Sequence, residues 1–356
     1  MRARRRFWAL ASVGAVTAHA NEEIDMTQSR FGATCCALIL AAAAGCGGGS
    51  DGSGDRTGTL RLGLTDAPVD QADAVVVQFT GVELKPAGGA AFSRDFASPK
   101  TIDVLALQGT TRALLLDGEA VPAGEYEWMR LKVNADPAIR DSYVTIGGQE
   151  CEMRIPSGAE SGLKLIRGFT VGVGTVTDFT IDFNLRKSVV QPPGQRADAP
   201  ACNGQVYLLK PVLRVVDNLQ VGAITGSIDA GLLTANSCVA STAKPGNVYL
   251  FGPVATSDPA PIVPDDVDGN AADGADPIAS AQVSADTFRY TIGFVPPGRY
   301  VVAYTCDADD SEIDADVLPT PPAVGESVTF VPANGTTIDV AANQTVTVDF
   351  AVVPAT

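Results

Sequence analysis

The chain has 356 residues, of which 46% are hydrophobic and 19% charged, and its formal net charge is −16. This length supports two domains with separate cores, and the negative charge argues against nucleic acid or anionic lipid as a partner. His19 is the only histidine, so the chain beyond it lacks histidine catalysis and histidine-ligated metals. Hydrolysis by a pair of carboxylates stays open as a reaction class.

A short apolar segment ends in a cysteine near the start of the chain. The run Phe31–Ala44 is well below the roughly 20 residues that a membrane-spanning helix needs, and its length suits the apolar region of a signal peptide. Gly45, Cys46 and a Gly/Ser/Asp-rich segment follow. This pattern resembles the signal of bacterial lipoproteins, which implies that residues 1–45 are removed and that Cys46 carries a diacylglycerol. The alternative is an alanine-rich helix that happens to end in Gly-Cys.

The export signal also predicts a location. Residues 1–25 hold a second, redundant signal-like pattern that ends in Ala-His-Ala, so we expect translation to begin at Met26. Gly47 after the cysteine resembles the pattern of lipoproteins sorted to the outer membrane of Gram-negative bacteria. Residues 46–57 are expected to be a flexible tether that reaches at most about 38 Å when taut.

From Thr57 onward the hydrophobic pattern is that of short strands separated by Gly, Pro, Asn and Asp. In the first half we predict strands at 60–64, 74–84, 101–107, 126–133, 169–183 and 207–216. In the second half we predict strands at 223–228, 247–251, 281–285, 287–294, 299–306, 327–331, 336–340 and 345–353. The expected fold is all-β, with two antiparallel β-sandwich domains in series, immunoglobulin-like or prealbumin-like, at 58–218 and 219–356.

A short motif occurs once in each half. Val121–Tyr126 reads VPAGEY and Val295–Tyr300 reads VPPGRY, and each leads into a predicted strand. The tyrosine after such a turn can bury its ring while its hydroxyl reaches the backbone at the rim of the sandwich. The motif predicts related architecture in the two halves.

Four cysteines remain in the exported part once Cys46 is acylated, and an even number in an exported protein favours disulfides. Three connectivities are open. A domain boundary near residue 219 leaves two cysteines on each side, so we predict the pairs Cys151–Cys202 and Cys238–Cys306. Buried free thiols are the alternative.

The second half is strongly acidic, with three basic residues against 17 acidic ones after residue 218. Its loop 265–276 could supply oxygen ligands to Ca²⁺, because calcium binds six to eight oxygens of carboxylates and carbonyls. The candidate ligands are Asp266, Asp268, Asn270 and Asp273. The spacing is not that of an EF-hand, and a solvated acidic loop is the alternative.

Several motifs in order resemble one family. They are GTLRLGLTDAP from Gly58, AVVVQFTGVEL from Ala74, DFNLRKS from Asp182 and LLKPVLRV from Leu208. Together they are similar to the domain of unknown function 4382 family over about 58–217. Members are typically predicted bacterial lipoproteins, and no established activity can be transferred. Residues 221–353 resemble prealbumin-like or carboxypeptidase-regulatory sandwiches, some of which bind glycans while many are stalks.

Residues that could bind a ligand have structural interpretations as well. Trp128 is the only tryptophan beyond the leader, and its place in a strand favours core packing. Asp66 is expected to form an Asx-turn, and Lys164 to pair with a carboxylate. Some aromatic side chains of the second half could face outward and bind glycan. They are Tyr249, Phe251, Phe288, Tyr290, Tyr300 and Tyr304.

These observations predict a non-catalytic binding or structural module of the cell envelope, anchored to the membrane through lipid. Its partners would be an envelope protein or a glycan, and not nucleic acid. The first alternative is a carbohydrate-binding lipoprotein. The second is a carboxylate-dependent hydrolase, which needs two acids about 5–10 Å apart across a cleft.

Overall fold

A computed structural model gives the architecture. It describes residues 56–67, 72–135, 139–156, 162–165, 167–190, 202, 206–210, 212–235, 245–254, 262–265, 274–307 and 328–352. Ser53–Thr356 fall into one compact unit. Within the described ranges, no helix has both the length and the apolar character required to cross a bilayer.

The first part of the chain forms strands β1 to β13. Their bounds are β1 Thr57–Ala67, β2 Ala74–Pro86, β3 Phe92–Asp103, β4 Ala113–Pro122, β5 Gly124–Asn134, β6 Tyr143–Ile146, β7 Gln149–Arg154, β8 Leu163–Leu165, β9 Phe169–Val171, β10 Val176–Asn184, β11 Val189–Val190, β12 Val206–Leu209 and β13 Leu213–Asp217. Sheet 1 has the order β13-β10-β1-β4. Sheet 2 has the order β11-β12-β7-β6-β2-β5-β8, with β3 also paired to β2 and β9 to β5.

The two sheets pack face to face because their strands alternate. Leu60, Leu62 and Leu64 of β1 are fully buried, and they meet Val77 and Phe79 of β2 in one core. Alternation along a strand sends successive side chains to opposite faces, so one face of each sheet supplies this core. This first hydrophobic core contains residues from Leu60 to Val215.

The rest of the chain builds a second pair of sheets. Its strands are β14 Gly222–Ser227, β15 Asn247–Phe251, β16 Ala279–Gln282, β17 Arg289–Val295, β18 Gly298–Thr305, β19 Phe330–Val340 and β20 Thr345–Thr347. Sheet 3 has the order β17-β14-β20, and sheet 4 has the order β16-β15-β18-β19. Ile224 and Ile292 of sheet 3 share a core with Val248 and Val302 of sheet 4. The protein is therefore all-β and built of two β-sandwiches, as the sequence predicts.

The prediction of antiparallel sheets needs one correction. Most strand pairs are antiparallel, but among the described strands β1–β10, β7–β12 and β14–β20 are parallel. A parallel pair needs a long connection between its strands, and each of these pairs has one. The strand order therefore could not follow from hydrophobic pattern alone.

Several predicted strands have different bounds. The predicted strand at 169–183 is split into β9 and β10, since Gly174 takes a positive φ of 65° between them. The predicted strand at 207–216 is also split, into β12 and β13, which lie in different sheets. Residues 104–107 form a turn, while the predicted strands 327–331 and 336–340 are joined in β19.

The repeated motif forms the same corner in both sandwiches. The Tyr126 hydroxyl donates to the Pro122 carbonyl at 2.7 Å, and the Tyr300 hydroxyl donates to the Pro296 carbonyl at 2.9 Å. Both rings are buried, and burial raises the pKa of each phenol. Each corner joins the two sheets of its sandwich, from β4 to β5 and from β17 to β18. The predicted correspondence between the halves is thus confirmed at this corner.

We expect Tyr126→Phe and Tyr300→Phe each to lower the free energy of unfolding by about 1 kcal/mol, because each removes one intramolecular hydrogen bond. Urea denaturation measures the change. Tyr143→Phe is the matched control, since its half-buried hydroxyl makes no hydrogen bond within the described part of the chain. Equal losses in all three variants would contradict a special role for the corners.

The disulfide prediction is confirmed for one pair. Cys151 on β7 is bonded to Cys202 across 51 residues of sequence. Cys306 is disulfide-bonded as well. Its predicted partner, Cys238, lies outside the described residues, so that pairing stays a prediction.

Candidate functional site

Polar residues of the family-like motifs gather where β1 and β10 end. These strands run parallel, so Thr65 pairs with Asp182 and Asp66 pairs with Phe183 at the same edge of sheet 1. A one-turn helix, Leu185–Ser188, follows β10 directly. Asp66, Asp182 and Arg186 are all buried, although charged side chains are almost never fully buried without partners. We call the surroundings of these residues the junction.

Arg186 links the first sandwich to the second. Its side chain is 1% exposed, its Nε donates to the Ser280 hydroxyl at 3.2 Å, and its guanidinium lies 4.9 Å from the centre of the Tyr249 ring. The adjacent Lys187 forms an ion pair with Asp276. Ser280, Tyr249 and Asp276 all belong to the second part of the chain, so charged residues of one sandwich are used to hold the other.

Asp182 and Arg214 form a second part of the junction. Arg214 on β13 donates from Nε to Oδ2 of Asp182 at 3.1 Å, and its Nη2 bonds the same oxygen. Its charge also acts on Tyr300. Burial raises the pKa of the Tyr300 phenol above its ordinary value, and the positive charge of Arg214 offsets part of this rise. The arginine therefore pairs within its own sheet, and its charge reaches the corner tyrosine of the second sandwich.

A further cluster fixes the segment that connects the sandwiches. Arg112 donates to both carboxylate oxygens of Asp178, at 2.7 and 3.0 Å, and the Asn218 amide donates to Asp178 at 2.7 Å. Asn218 also accepts from the Thr180 hydroxyl at 2.8 Å. Asn218 begins the 3-10 turn Asn218–Gln220 that precedes β14. Asn218 thus attaches the connecting segment to two residues of β10, Asp178 and Thr180, in sheet 1.

This cluster makes stability depend on pH. Burial raises the pKa of Asp178, but hydrogen bonds from Arg112 and Asn218 outweigh burial and hold the pKa below its ordinary value of 3.8. A carboxyl whose pKa is lower in the folded state stabilises the fold above the unfolded pKa, and that stability is lost as pH falls through the folded pKa. We expect Asp178→Asn to lose less stability than the wild type between pH 7 and pH 3. Urea denaturation at both pH values measures this, and parallel losses would contradict it.

The junction leaves little space for a ligand. A cavity of about 10 Å³ lies among its residues, which is at or below the space that one water molecule requires. Gly109 and Gly293 pack so closely that a Cβ at Gly293 would lie 2.2 Å from the Gly109 carbonyl oxygen. Asp66 and Asp182 both line this cavity. Two buried acids without room for a substrate offer no support for the hydrolase alternative.

The predicted calcium ligands Asp266, Asp268, Asn270 and Asp273 lie outside the described residues, so that prediction is untested. The flanking residues close the base of the loop, since Pro264 forms a bridge with Ala275. Within the described part of the chain, no cluster of three metal-ligating side chains occurs. Cys46 also lies outside the described residues.

The predicted aromatic surface takes a different form. Of the six aromatic residues predicted to face outward, five are buried, namely Tyr249, Phe251, Tyr290, Tyr300 and Tyr304. The sixth, Phe288, is half-buried. Trp128, expected in the core, instead points away from it, because its neighbours Met129 and Leu131 are the inward residues of β5. Among the described residues Lys164 forms no ion pair with a carboxylate. It lies 4.8 Å from the centre of the Trp128 ring, and Arg130 lies 5.0 Å from it.

Sequence reasoning did not identify the junction. Asp66, whose Asx-turn stays a prediction, lies buried where the two sandwiches meet, and Arg186 has no predicted role. The available signal was charge within an apolar context, because Asp182 and Arg186 interrupt a run of strand-forming residues. Only the parallel pairing of β1 with β10 brings these residues together.

Fold and junction together define an all-β protein of two sandwiches that are joined through buried charge. Residues 57–211 match the family model described as Domain of unknown function (DUF4382). The match covers strands β1 to β12, that is, most of the first sandwich, which is similar to that family. The comparison with curated proteins gives no match.

Solved structures show a remote likeness. The TIE protein of Bacillus anthracis aligns with 82% of this chain at 7% identity and a TM-score of 0.18, and the chain spans about a third (33%) of its length. The minor pilin GBS52 of Streptococcus agalactiae aligns over 83% of this chain and 98% of its own, at 10% identity and a TM-score of 0.16. BcpA, the major pilin subunit of Bacillus cereus, aligns over 83% of this chain and 98% of its own, at 10% identity and a TM-score of 0.16. A likeness this remote says nothing about function.

Proposed function

We propose that this protein is an exported, lipid-anchored protein of the cell envelope whose two sandwiches act as a non-catalytic structural or binding module. The observation that carries the proposal is the junction. Its charged residues contact the second sandwich and each other around a cavity of about 10 Å³, so they serve cohesion between sandwiches. A joined pair of sandwiches suits a part that presents a surface at a distance from a membrane.

The anchor and the division of the chain belong to the same proposal. Cys46 would carry the lipid, residues 46–57 would be the tether, and the outer membrane would be the location. Residues 58–218 and 219–356 would be the two domains. The hydrophobic cores support this division, since the first contains residues from Leu60 to Val215 and the second residues from Ile224 to Phe350.

Glycan binding is the second candidate, and one observation favours it. Trp128 is an outward aromatic residue with cations beside its ring, and such a group could contact an acidic sugar. Binding of the protein to isolated cell-wall glycan, compared with Trp128→Ala, tests this. Equal retention of both proteins would remove the candidate.

We expect Cys46→Ser to abolish acylation and to release the protein from the membrane fraction. Metabolic labelling with radioactive palmitate, followed by separation of membrane and soluble fractions, measures both effects. Cys35→Ser is the matched control, since that cysteine would be removed with the signal, and it should be acylated like the wild type. Undiminished labelling of Cys46→Ser would contradict the proposed anchor.

A further inference from the structure

Three loops of the first sandwich meet where the described chain begins. The Arg56 carbonyl accepts a hydrogen bond from the Ala123 amide at 2.6 Å, and the Thr57 carbonyl accepts one from the Gly174 amide at 2.9 Å. The Ala87 amide donates to the Glu125 carbonyl at 2.8 Å. These bonds bring together the loops 86–91, 122–124 and 172–175. We call these three loops the tether-proximal end.

The three loops of the tether-proximal end contain no charged residue, and the nearest cation is Lys85, whose Nζ donates to the carbonyls of Pro86 and Gly89. The loops read Pro-Ala-Gly-Gly-Ala-Ala, Pro-Ala-Gly and Gly-Val-Gly-Thr, without a single Asp, Glu, Lys or Arg, while the whole chain has a net charge of −16. The opposite end, which follows β5, contains Arg140 and Asp141. Charged residues border the loops, namely Lys85 with Glu127, and Arg167 and Asp217 of the neighbouring groove, but the loops themselves add no repulsion from a membrane surface.

Large apolar side chains are exposed at the same place. Val173 is 58% exposed and Val176 is 54% exposed, in and beside the loop 172–175. An open groove of about 420 Å³ lies next to them and includes Phe169 and Leu219 in its lining. Leu219 is 66% exposed. Exposed apolar side chains that lie together mark a surface that another apolar phase covers in the assembled state.

We propose that the tether-proximal end is the surface that the protein rests on the lipid bilayer, with Val173 and Val176 in the interfacial region. The inference depends on the proposed lipid anchor at Cys46. Nine residues lie between Cys46 and Arg56, so ten chain steps place the start of the first sandwich at most about 36 Å from its acylated cysteine. Exposed apolar side chains this close to the anchor lower the free energy of the membrane-bound protein when they leave water for the interface.

Spin labels on the lipidated full-length protein test this in vesicles of phosphatidylethanolamine and phosphatidylcholine. Labels are placed at Val173→Cys and Ala90→Cys, in two loops of the tether-proximal end. Ile139→Cys is the matched control, because it is an apolar residue, 69% exposed, at the opposite end of the same sandwich. Collision of each label with a water-soluble nickel complex and with oxygen is measured by electron paramagnetic resonance.

We expect a several-fold lower collision rate with nickel at positions 173 and 90 than at 139, and a higher ratio of oxygen to nickel collisions. Equal accessibility at all three positions of membrane-bound protein would overturn the inference while leaving the anchor intact. Failure of the anchor is separate, because the wild type would then not sediment with vesicles any more than Cys46→Ser does. A normal thermal melt of each labelled variant shows that the fold is retained.

Discussion

Arg186→Met is expected to lower the free energy of unfolding by about 3–5 kcal/mol, since it removes a hydrogen bond from a charged donor, worth about 1.5–3 kcal/mol, and a desolvated cation–π contact, worth about 2 kcal/mol. The side chain is 1% exposed and contacts both Ser280 and the Tyr249 ring of the second sandwich. Methionine can fill much of the volume but supplies neither the donors nor the charge. Urea denaturation followed by circular dichroism measures the loss.

Arg299→Met is the matched control for this substitution. Arg299 donates to Asp339 in a pair whose side chains are largely exposed, and pairs in water contribute little to stability. We therefore expect an unfolding curve close to that of the wild type. If Arg186→Met and Arg299→Met were equally mild, the junction would not be the place where buried charge stabilises the fold.

Removing the disulfide by Cys151→Ser with Cys202→Ser is expected to lower the free energy of unfolding by about 4 kcal/mol. The bond closes a loop across a sequence separation of 51 residues, and cross-linking stabilises by restricting the unfolded chain, more so for longer loops. It ties the chain beyond β11 to Cys151, which is buried in the first core. Urea denaturation of the wild type and the double variant gives the difference.

Reduction provides the control for the disulfide prediction. A reducing agent should shift the wild-type midpoint towards that of the double variant. Any shift that remains in the double variant would report the bond of Cys306. Coincident midpoints of wild type and double variant under oxidising conditions would contradict the prediction.

The sequence predicts the all-β fold because short apolar runs, bounded by Gly, Pro, Asn and Asp, recur along it. Ala74–Leu84 and Asn247–Phe251 were expected as strands, and the structure has them as β2 and β15. Edge strands gave weaker signals. β3 was missed over most of its length because its residues are largely exposed. Many of them are polar, such as serine, arginine, aspartate and lysine, and the strand also contains a proline.

Long-range arrangement was the part that sequence could not supply. The corner tyrosines followed from local turn chemistry, since Tyr126 and Pro122 are only four residues apart. Arg186 and Ser280 are 94 residues apart, and nothing local connects them. Trp128 was expected inside the core because it lies in a predicted strand. Strand alternation instead places Met129 inward. Cation–π contacts with Arg130 and Lys164 accommodate the Trp128 ring outside the core.

The central claim is that buried charge joins the two sandwiches into one cooperative unit, and differential scanning calorimetry of the Cys46→Ser chain tests it most directly. We expect a single transition whose calorimetric and van't Hoff enthalpies agree, because sandwiches that share a buried junction unfold together. Two separate transitions, each with the enthalpy of one sandwich, would show independent domains and contradict the account.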